Sequence, residues 1–438
     1  MSEPSPVTSP VTHVGFRRAV SRWEIVAFSL NDVIGSGVYL LPAAAAAILG
    51  PTSVWAVILA GFAVTLLVLC FAEAGSYFDR PGGAYLYTRE AFGDLVGFEV
   101  GWMTWLARVS SVASLSVGFA QALGYLLPQT AQGTGRMLAI VLPLLLLTAI
   151  NIVGVKSGVR TAVFLAVSKI VPLVIFIGVG IFYVSRTLAT LPTPRSGSLG
   201  EAALLLLFAY AGFENTPAPA GEFKNPRRDV PFALITQIVI VTLIYSAVQW
   251  VALGTLPNLA GSETPLADAA RIFLGEWGGL LLTAGAVLSI LGTNSNTVLA
   301  GPRYLYALAA DGFGPRALSY IHPRFRTPVV AILAQTAIAL PLALSGSFTQ
   351  LATLSVVARL ATYFGTAAAV LVLRRKHPGA PGVIRIPGGP IIPIAALALC
   401  VAFAASAETR NLIAGGIAVV VGLGLYAIRR QPESAERM

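Results

Sequence analysis

The stretch that decides the fold runs from Asn31 to Pro42 and reads NDVIGSGVYLLP. It lies in the middle of a longer apolar segment, 23–49, and places a serine between two glycines with a proline shortly after them. A glycine inside a helix costs about 1 kcal/mol relative to alanine, and proline removes a backbone donor. The sequence therefore predicts a helix that is interrupted near Gly35 and Gly37.

A second interruption is predicted within the segment 200–220. There the stretch Phe208–Pro217 reads FAYAGFENTP, with Gly212 in its middle, the charged Glu214 close by and a proline at its end. Glycines that only allow close helix packing are the alternative reading. That alternative explains the polar residues at both breaks poorly. Paired interruptions in two halves of a chain favour a transporter built from inverted repeats.

The composition places the chain in a membrane. Of its 438 residues, 56% are hydrophobic and 11% are charged, whereas soluble domains carry about 25% charged residues. Apolar runs of about 20 residues cross the hydrocarbon as helices, because lipid leaves no partner for unpaired backbone groups. We predict an all-α polytopic membrane protein of about twelve transmembrane helices, at 23–49, 52–77, 95–127, 137–153, 158–184, 200–220, 230–254, 277–309, 327–345, 349–373, 391–407 and 411–428.

The basic residues fix the predicted orientation. With both termini in the cytoplasm, twenty Lys and Arg residues fall on the inner side and five on the outer side. An excess of Lys and Arg is typical of cytoplasmic loops. The segments 1–22 and 429–438 are therefore predicted to be cytoplasmic tails of a multi-pass protein of the plasma (cytoplasmic) membrane.

Several functional classes are disfavoured by the residues present. Cys70 and Cys400 lie inside apolar runs, and the absence of a CxxC pair or a histidine cluster argues against a metal site. The three histidines, His13, His322 and His377, lie in the tail or in loops, so no enzyme and no cofactor is expected. The basic residues are scattered over loops, so nucleic acid is not an expected partner. No GxxxxGK[ST] loop is present to couple transport to ATP hydrolysis.

Four segments resemble the amino acid–polyamine–organocation (APC) transporter family. They are IGSGVY at 34–39, RPGGAY with REAFG at 80–93, GEFKNPRRDVP at 221–231 and RYLYALAADG at 303–312. The resemblance extends from Arg17 to about Lys376. It implies a LeuT-like fold in which 23–184 and 200–373 are two five-helix repeats of inverted topology, followed by two further helices within 391–428.

The resemblance also implies a binding site for a small-molecule substrate. In the family, the substrate carboxylate meets the break in helix 1, and its amino group meets carbonyl groups of helices 1 and 6. Carried over to this chain, the substrate-binding residues are Ile34, Ser36, Gly37 and Val38, with Phe208, Ala209 and Tyr210 opposite them.

Two further positions bear on the substrate side chain. Asn296 falls where arginine-exchanging relatives carry a tryptophan, which disfavours a cationic substrate stacked on an aromatic ring. Arg108 falls at a pocket-lining position of helix 3. It either binds an anionic substrate group or is structural and paired with Asp32, Glu99 or Glu214, since a charge in the membrane interior is costly unless it is paired.

A third group is expected to couple or gate transport. Lys169 falls where sodium-coupled relatives bind sodium, so its ammonium could replace the ion, or release a proton during the cycle; the alternative is a lysine that reaches an interface. Asp32 either pairs with an intramembrane cation or titrates. Glu214, Arg359 and Tyr363 are expected to form part of an inner gate, although a structural ion network explains them nearly as well.

The resemblance and the interruptions together predict a secondary active transporter of amino acids that works by alternating access without sodium, as an exchanger or a proton-coupled symporter. A neutral substrate is favoured over an acidic one. The alternative within the same fold is an amine or polyamine transporter, and the alternative of another class is a channel or a non-transporting sensor. The lipid bilayer is the expected surrounding, and a homo-oligomer is left open.

Overall fold

The computed structural model describes residues 16, 18–35, 37–130, 132–185, 206–207, 209–262, 264–346, 348–405 and 409–427. These residues are helical with short connections and contain no β-strand; an isolated parallel bridge joins Val20 and Phe223. Ser36, Phe208 and most of the two predicted tails lie outside the described residues.

Thirteen α-helices can be delimited in the described part of the chain. They are α1 (Arg22–Val33), α2 (Gly37–Leu49), α3 (Ser53–Ser76), α4 (Ala84–Phe92), α5 (Asp94–Leu126), α6 (Gly133–Val153), α7 (Val155–Gly180), α8 (Pro226–Thr255), α9 (Pro265–Ala310), α10 (Val329–Ser345), α11 (Phe348–Lys376), α12 (Ile391–Ala405) and α13 (Thr409–Ala427).

Six helical stretches among the described residues are long and apolar enough to cross a membrane, and three shorter apolar helices accompany them. Their outer faces expose large apolar side chains such as Leu59, Phe62 and Trp277. Lipid tails are as apolar as these side chains, so this exposure costs nothing in a bilayer. The chain is an all-helical, multi-pass membrane protein.

The first predicted interruption is present. α1 ends at Val33 and α2 begins at Gly37, so the predicted span 23–49 consists of two helices. α1 packs against α7, α8 and α9, which places its broken end in the interior. The last carbonyl groups of α1 and the first N–H groups of α2 have no partner within their own helices.

The second interruption is centred on Gly212. Ala209 and Tyr210 are helical, and short 3-10 turns follow at Phe213–Asn215 and Ala220–Glu222. Gly212 has a φ of 129°, and a Cβ added there would lie 2.9 Å from the carbonyl oxygen of Asp32. Only glycine fits this conformation and this close approach.

Two helical regions differ from the sequence prediction. α9 begins at Pro265, well before the predicted start of the span 277–309, because a helical segment precedes a bend at Gly275, where φ is 66°. α4 is a short helix of nine residues that falls between two predicted spans. It is too short to cross the hydrocarbon, and it packs against α5 and α11.

A cavity between two interrupted helices

A cavity of about 70 Å³ lies where the two interruptions meet. Gly35 and Gly37 line one side, and Ala209, Ala211 and Gly212 line the other. A Cβ added to Gly37 would lie 3.3 Å from the Cα and Cβ atoms of Ala209. The two interrupted segments therefore pack closely against each other at this point. The N-terminus of α2 faces this space and carries a partial positive charge that suits a carboxylate.

Lys169 of α7 is completely buried behind the break in α1. Its ammonium nitrogen donates to the carbonyl oxygens of Asn31 at 2.8 Å, Ile34 at 2.5 Å and Ser289 at 3.0 Å. Two of these carbonyl groups belong to the C-terminal end of α1, which carries a partial negative charge. The arrangement resembles the ligand shell of a small cation, with the lysine in the position of the ion.

Glu214 follows the second break, and its carboxylate accepts four hydrogen bonds. Its carboxylate accepts from Arg359 at 2.8 Å, Arg108 at 3.0 Å, the Tyr363 hydroxyl at 3.0 Å and the backbone N–H of Gly212 at 2.9 Å. Such charge-assisted bonds are the strongest of the hydrogen bonds in proteins. The cluster ties α5 and α11 to the second interruption.

The sequence offered three carboxylates as possible ion-pair partners of Arg108. In the structure, its guanidinium forms an ion pair with Glu214. Nε and Nη1 of Arg108 have no hydrogen-bond partner among the described residues. Glu99 lies elsewhere on α5, against Gly422 of α13.

Asp32 lies in the cavity wall and is 2% exposed. Its Oδ2 accepts a hydrogen bond from the side-chain amide of Asn215. Its Oδ1 has no hydrogen-bond partner within the described ranges. The charged groups near it include Arg108, Arg359, Glu214 and Lys169.

Several side chains assigned to the substrate do not line the cavity. They are Ile34, Val38, Tyr210, Asn296 and Arg108. Asn296 turns toward α1, where it accepts from the Asn31 amide at 2.8 Å and donates to the Phe28 carbonyl oxygen. The Tyr210 hydroxyl donates to the carbonyl oxygen of Val57 at 3.0 Å.

The cavity has a hydroxyl-rich wall that the sequence reasoning missed. It is formed by Ser111 and Ser114 of α5, Thr293 and Thr297 of α9, and Ser355 of α11. The spacings i,i+3 and i,i+4 place each pair on one helix face. This periodicity is a sequence signal that could have found them.

Tyr245 of α8 was also missed. Its hydroxyl lies 3.0 Å from the carbonyl oxygen of Val33 and 3.3 Å from that of Ala209. Tyr245 thus contacts both interrupted helices at once.

Fold and site together define a polytopic membrane protein with a cavity between two broken helices that polar and apolar residues line together. The family model for amino acid permeases matches residues 20–418. The chain therefore belongs to the amino acid permease family, within the APC transporters. The resemblance found in the sequence is confirmed.

Proteins with similar sequences agree with this assignment. The serine/threonine exchanger SteT of Bacillus subtilis is 29% identical over 93% of this chain and 95% of its own. The branched-chain amino acid permease BcaP of the same organism is 26% identical over 95% of this chain and 94% of its own. The vacuolar cationic amino acid transporter 4 of Arabidopsis thaliana is 28% identical over 82% of this chain and 64% of its own. These relatives are transporters, and the chain is a membrane amino acid permease rather than an enzyme.

Proposed function

We propose that this chain is a secondary active transporter of neutral amino acids that works by alternating access without sodium, as an exchanger or a proton-coupled symporter. It acts in the plasma membrane with both termini in the cytoplasm. Its ten-helix core, 23–184 and 200–373, is an inverted repeat followed by two further helices. The cavity between the two interrupted helices is the observation that carries the proposal.

The break in α1 suits the carboxylate of the substrate. The first N–H groups of α2 are unpaired within the helix, and they face the cavity beside Gly37. The absence of a Cβ at Gly37 lets the second interruption pack closely against this backbone at Ala209. A carboxylate bound there also gains from the positive end of the α2 dipole.

The position of Lys169 supports transport without sodium. Its ammonium already uses oxygen atoms of Asn31, Ile34 and Ser289. A sodium ion would need those same oxygens and would lie against a like charge. At about 4 Å and an effective dielectric of about 20, that repulsion is about 4 kcal/mol.

The charges around the cavity favour a neutral substrate. Arg108 and Arg359 both already pair with Glu214, so neither is a free counterion for an acidic side chain, and two arginines beside the cavity disfavour a cationic one. An ionised side chain buried without a partner is costly.

The size and lining of the cavity favour a short, hydroxyl-bearing side chain. A volume of about 70 Å³ is small beside the roughly 300–1,000 Å³ of pockets for drug-sized ligands, so it favours a compact substrate. The Thr297 hydroxyl donates to the Thr293 carbonyl oxygen and keeps its acceptor lone pairs, so it can accept a hydrogen bond from a serine or threonine side chain. Among the relatives, this agrees with the serine/threonine exchanger better than with the branched-chain permease.

Uptake into proteoliposomes tests the proposal. Labelled serine, threonine, alanine, leucine, glutamate and arginine are offered with and without internal amino acid, and with and without an inward proton gradient. We expect uptake of neutral amino acids that is equal in sodium and choline buffers. Stimulation by internal substrate identifies an exchanger, and stimulation by the proton gradient identifies a symporter. Uptake of none of these amino acids would refute transport.

A further inference from the structure

The first turns of α1 and α8 meet in an exposed cluster of basic and aromatic side chains. The guanidinium of Arg22 lies 4.7 Å from the centre of the Phe232 ring, and its Nε donates to Oδ1 of Asp229 at 2.8 Å. The Trp23 ring meets the same Phe232 ring edge-on, with 5.5 Å between the ring centres. Trp23 is nevertheless 67% exposed, and Arg22 is exposed as well. Both side chains therefore remain available to the surroundings of the protein.

This end of α8 lies at the level of the lipid headgroups. α8 has 30 residues and is about 45 Å long, whereas the hydrocarbon core is about 30 Å thick. All of its charged residues, 227–229, stand in its first turn. An exposed tryptophan such as Trp23 is typical of this level, because indole joins an apolar body to a polar N–H.

Arg228 continues the lipid-facing stripe of α8. Ile235, Val239 and Leu243 are exposed and follow each other at intervals of four residues, so they share one face of the helix. Arg228 is also exposed and lies two turns before Ile235 on that face. The helix rises about 16 Å from Arg228 to Val239, which matches one leaflet of a hydrocarbon core about 30 Å thick. A lipid chain along this stripe thus brings its phosphate to the level of Arg228.

The charges at this level suit an anionic headgroup. Three exposed basic side chains have no ion-pair partner within the described ranges, namely Lys224, Arg227 and Arg228. The two nearby carboxylates are already engaged, since Asp229 pairs with Arg22, and Glu24 accepts from the backbone N–H and the hydroxyl of Ser21. The pair with Asp229 uses Nε of Arg22, so the two terminal nitrogens of that guanidinium can still donate.

We propose that the interfacial surface formed by Arg22, Trp23, Arg228 and Phe232 binds a phospholipid with an anionic headgroup. The phosphate lies between the two arginines, whose guanidinium groups form charge-assisted hydrogen bonds with it. One acyl chain covers the apolar stripe of α8. Such a lipid contacts α1 and α8 together and stabilises their pairing. The inference needs the membrane placement of the chain and does not depend on the transported substrate.

Competition between two lipids tests this assignment. The purified protein in detergent receives equal amounts of dioleoyl phosphatidylglycerol and dioleoyl phosphatidylcholine, which share their acyl chains and differ in headgroup charge. Native mass spectrometry then measures how much of each lipid stays bound. We expect phosphatidylglycerol to be preferred about tenfold, because two arginines face its headgroup.

Variants locate the preference on this surface. Arg228→Gln should reduce it about fivefold, since one of the two arginine contacts is lost. Arg228→Lys keeps the charge and should keep most of the preference. Arg375→Gln is the matched control, because Arg375 is exposed in the last turn of α11 and its replacement removes the same charge elsewhere. This control should leave the preference unchanged.

Equal binding of the two lipids by the unaltered protein would overturn the inference. An equal loss in Arg228→Gln and Arg375→Gln would overturn it too, because net charge and not this surface would then set the preference. If Arg228→Gln does not fold, salt decides on the unaltered protein: exposed arginines are screened, so the preference must fall as ionic strength rises, and a constant preference contradicts the site. Excess glycerol 3-phosphate should not displace phosphatidylglycerol, and displacement would make this a site for soluble phosphate instead of a lipid.

Discussion

The ammonium nitrogen of Lys169 lies 2.5 Å from the carbonyl oxygen of Ile34, the residue that caps the C-terminal end of α1. A side chain of α7 therefore supplies the positive charge at the broken end of another helix. The contact joins the first interruption to the helix behind it, and a movement of α1 relative to α7 must stretch or break it.

Replacing Lys169 should abolish transport. In Lys169→Gln the charge at the end of α1 is lost, and the carbonyl oxygens of Asn31 and Ser289 lose their shared donor. We expect uptake to fall at least about tenfold, since loss of even one charge-assisted hydrogen bond costs about 1.5–3 kcal/mol. The measurement is the initial rate of uptake in sodium and in choline buffer.

The neighbouring Ser168 provides the matched control, because it is partly exposed and, among the described residues, its hydroxyl bonds the Phe164 carbonyl oxygen of its own helix. Ser168→Ala should transport normally. Sodium-stimulated uptake by the unaltered protein would show that Lys169 does not stand in for the ion.

Gly37 should tolerate no β-branched residue. A valine there brings its Cβ to 3.3 Å from the Cα and Cβ atoms of Ala209, so the two interruptions that enclose the cavity must move apart. We expect Gly37→Val to remain folded but to lose the ligand-induced rise in melting temperature. Gly178→Val is the control, since a Cβ at Gly178 meets no atom within 4 Å. An unchanged ligand-induced shift in Gly37→Val would place the carboxylate elsewhere.

The interruptions could be predicted because glycine and proline act locally. Glycine weakens a helix at any interior position. The positions of Gly35, Gly37 and Gly212 within apolar segments are therefore enough to predict the two interruptions. The membrane class follows from composition in the same way. The bend at Gly275 was missed because nothing in the sequence separates its positive φ from an ordinary helical glycine.

The orientation of the site residues could not be predicted in the same way. Three carboxylates were compatible with Arg108, and only the packing of α5 against the second interruption selects Glu214. Asn296 faces α1 because of the rotation of α9 about its axis, which no local pattern fixes. The position of Lys169 could be anticipated only through the family resemblance.

The cluster at Glu214 should be essential for stability. Glu214→Gln leaves Arg108 and Arg359 buried without a counterion, and loss of one partner from a buried pair costs about 3–5 kcal/mol. Tyr363→Phe removes one hydrogen bond and should cost about 1 kcal/mol. Melting temperatures in detergent measure both. If Glu214→Gln melts like Tyr363→Phe, the two arginines find other partners, and the cluster is not what holds α5 and α11 together.

Competition binding should rank amino acids by charge and size. Because Arg108 and Arg359 already pair with Glu214, a charged substrate side chain finds no free counterion and must leave water unpaired. Alanine, serine and threonine should therefore compete at least about tenfold better than glutamate or arginine, a difference of about 1.4 kcal/mol. Leucine should fall between them because the cavity has little room for a branched chain.

In Ser111→Ala, threonine should lose affinity while alanine keeps it, since only threonine can use the hydroxyl at that position. Ser110→Ala, one residue away and outside the cavity wall, should alter neither. Arginine as the strongest competitor would mean that the cluster does not set the charge of the site.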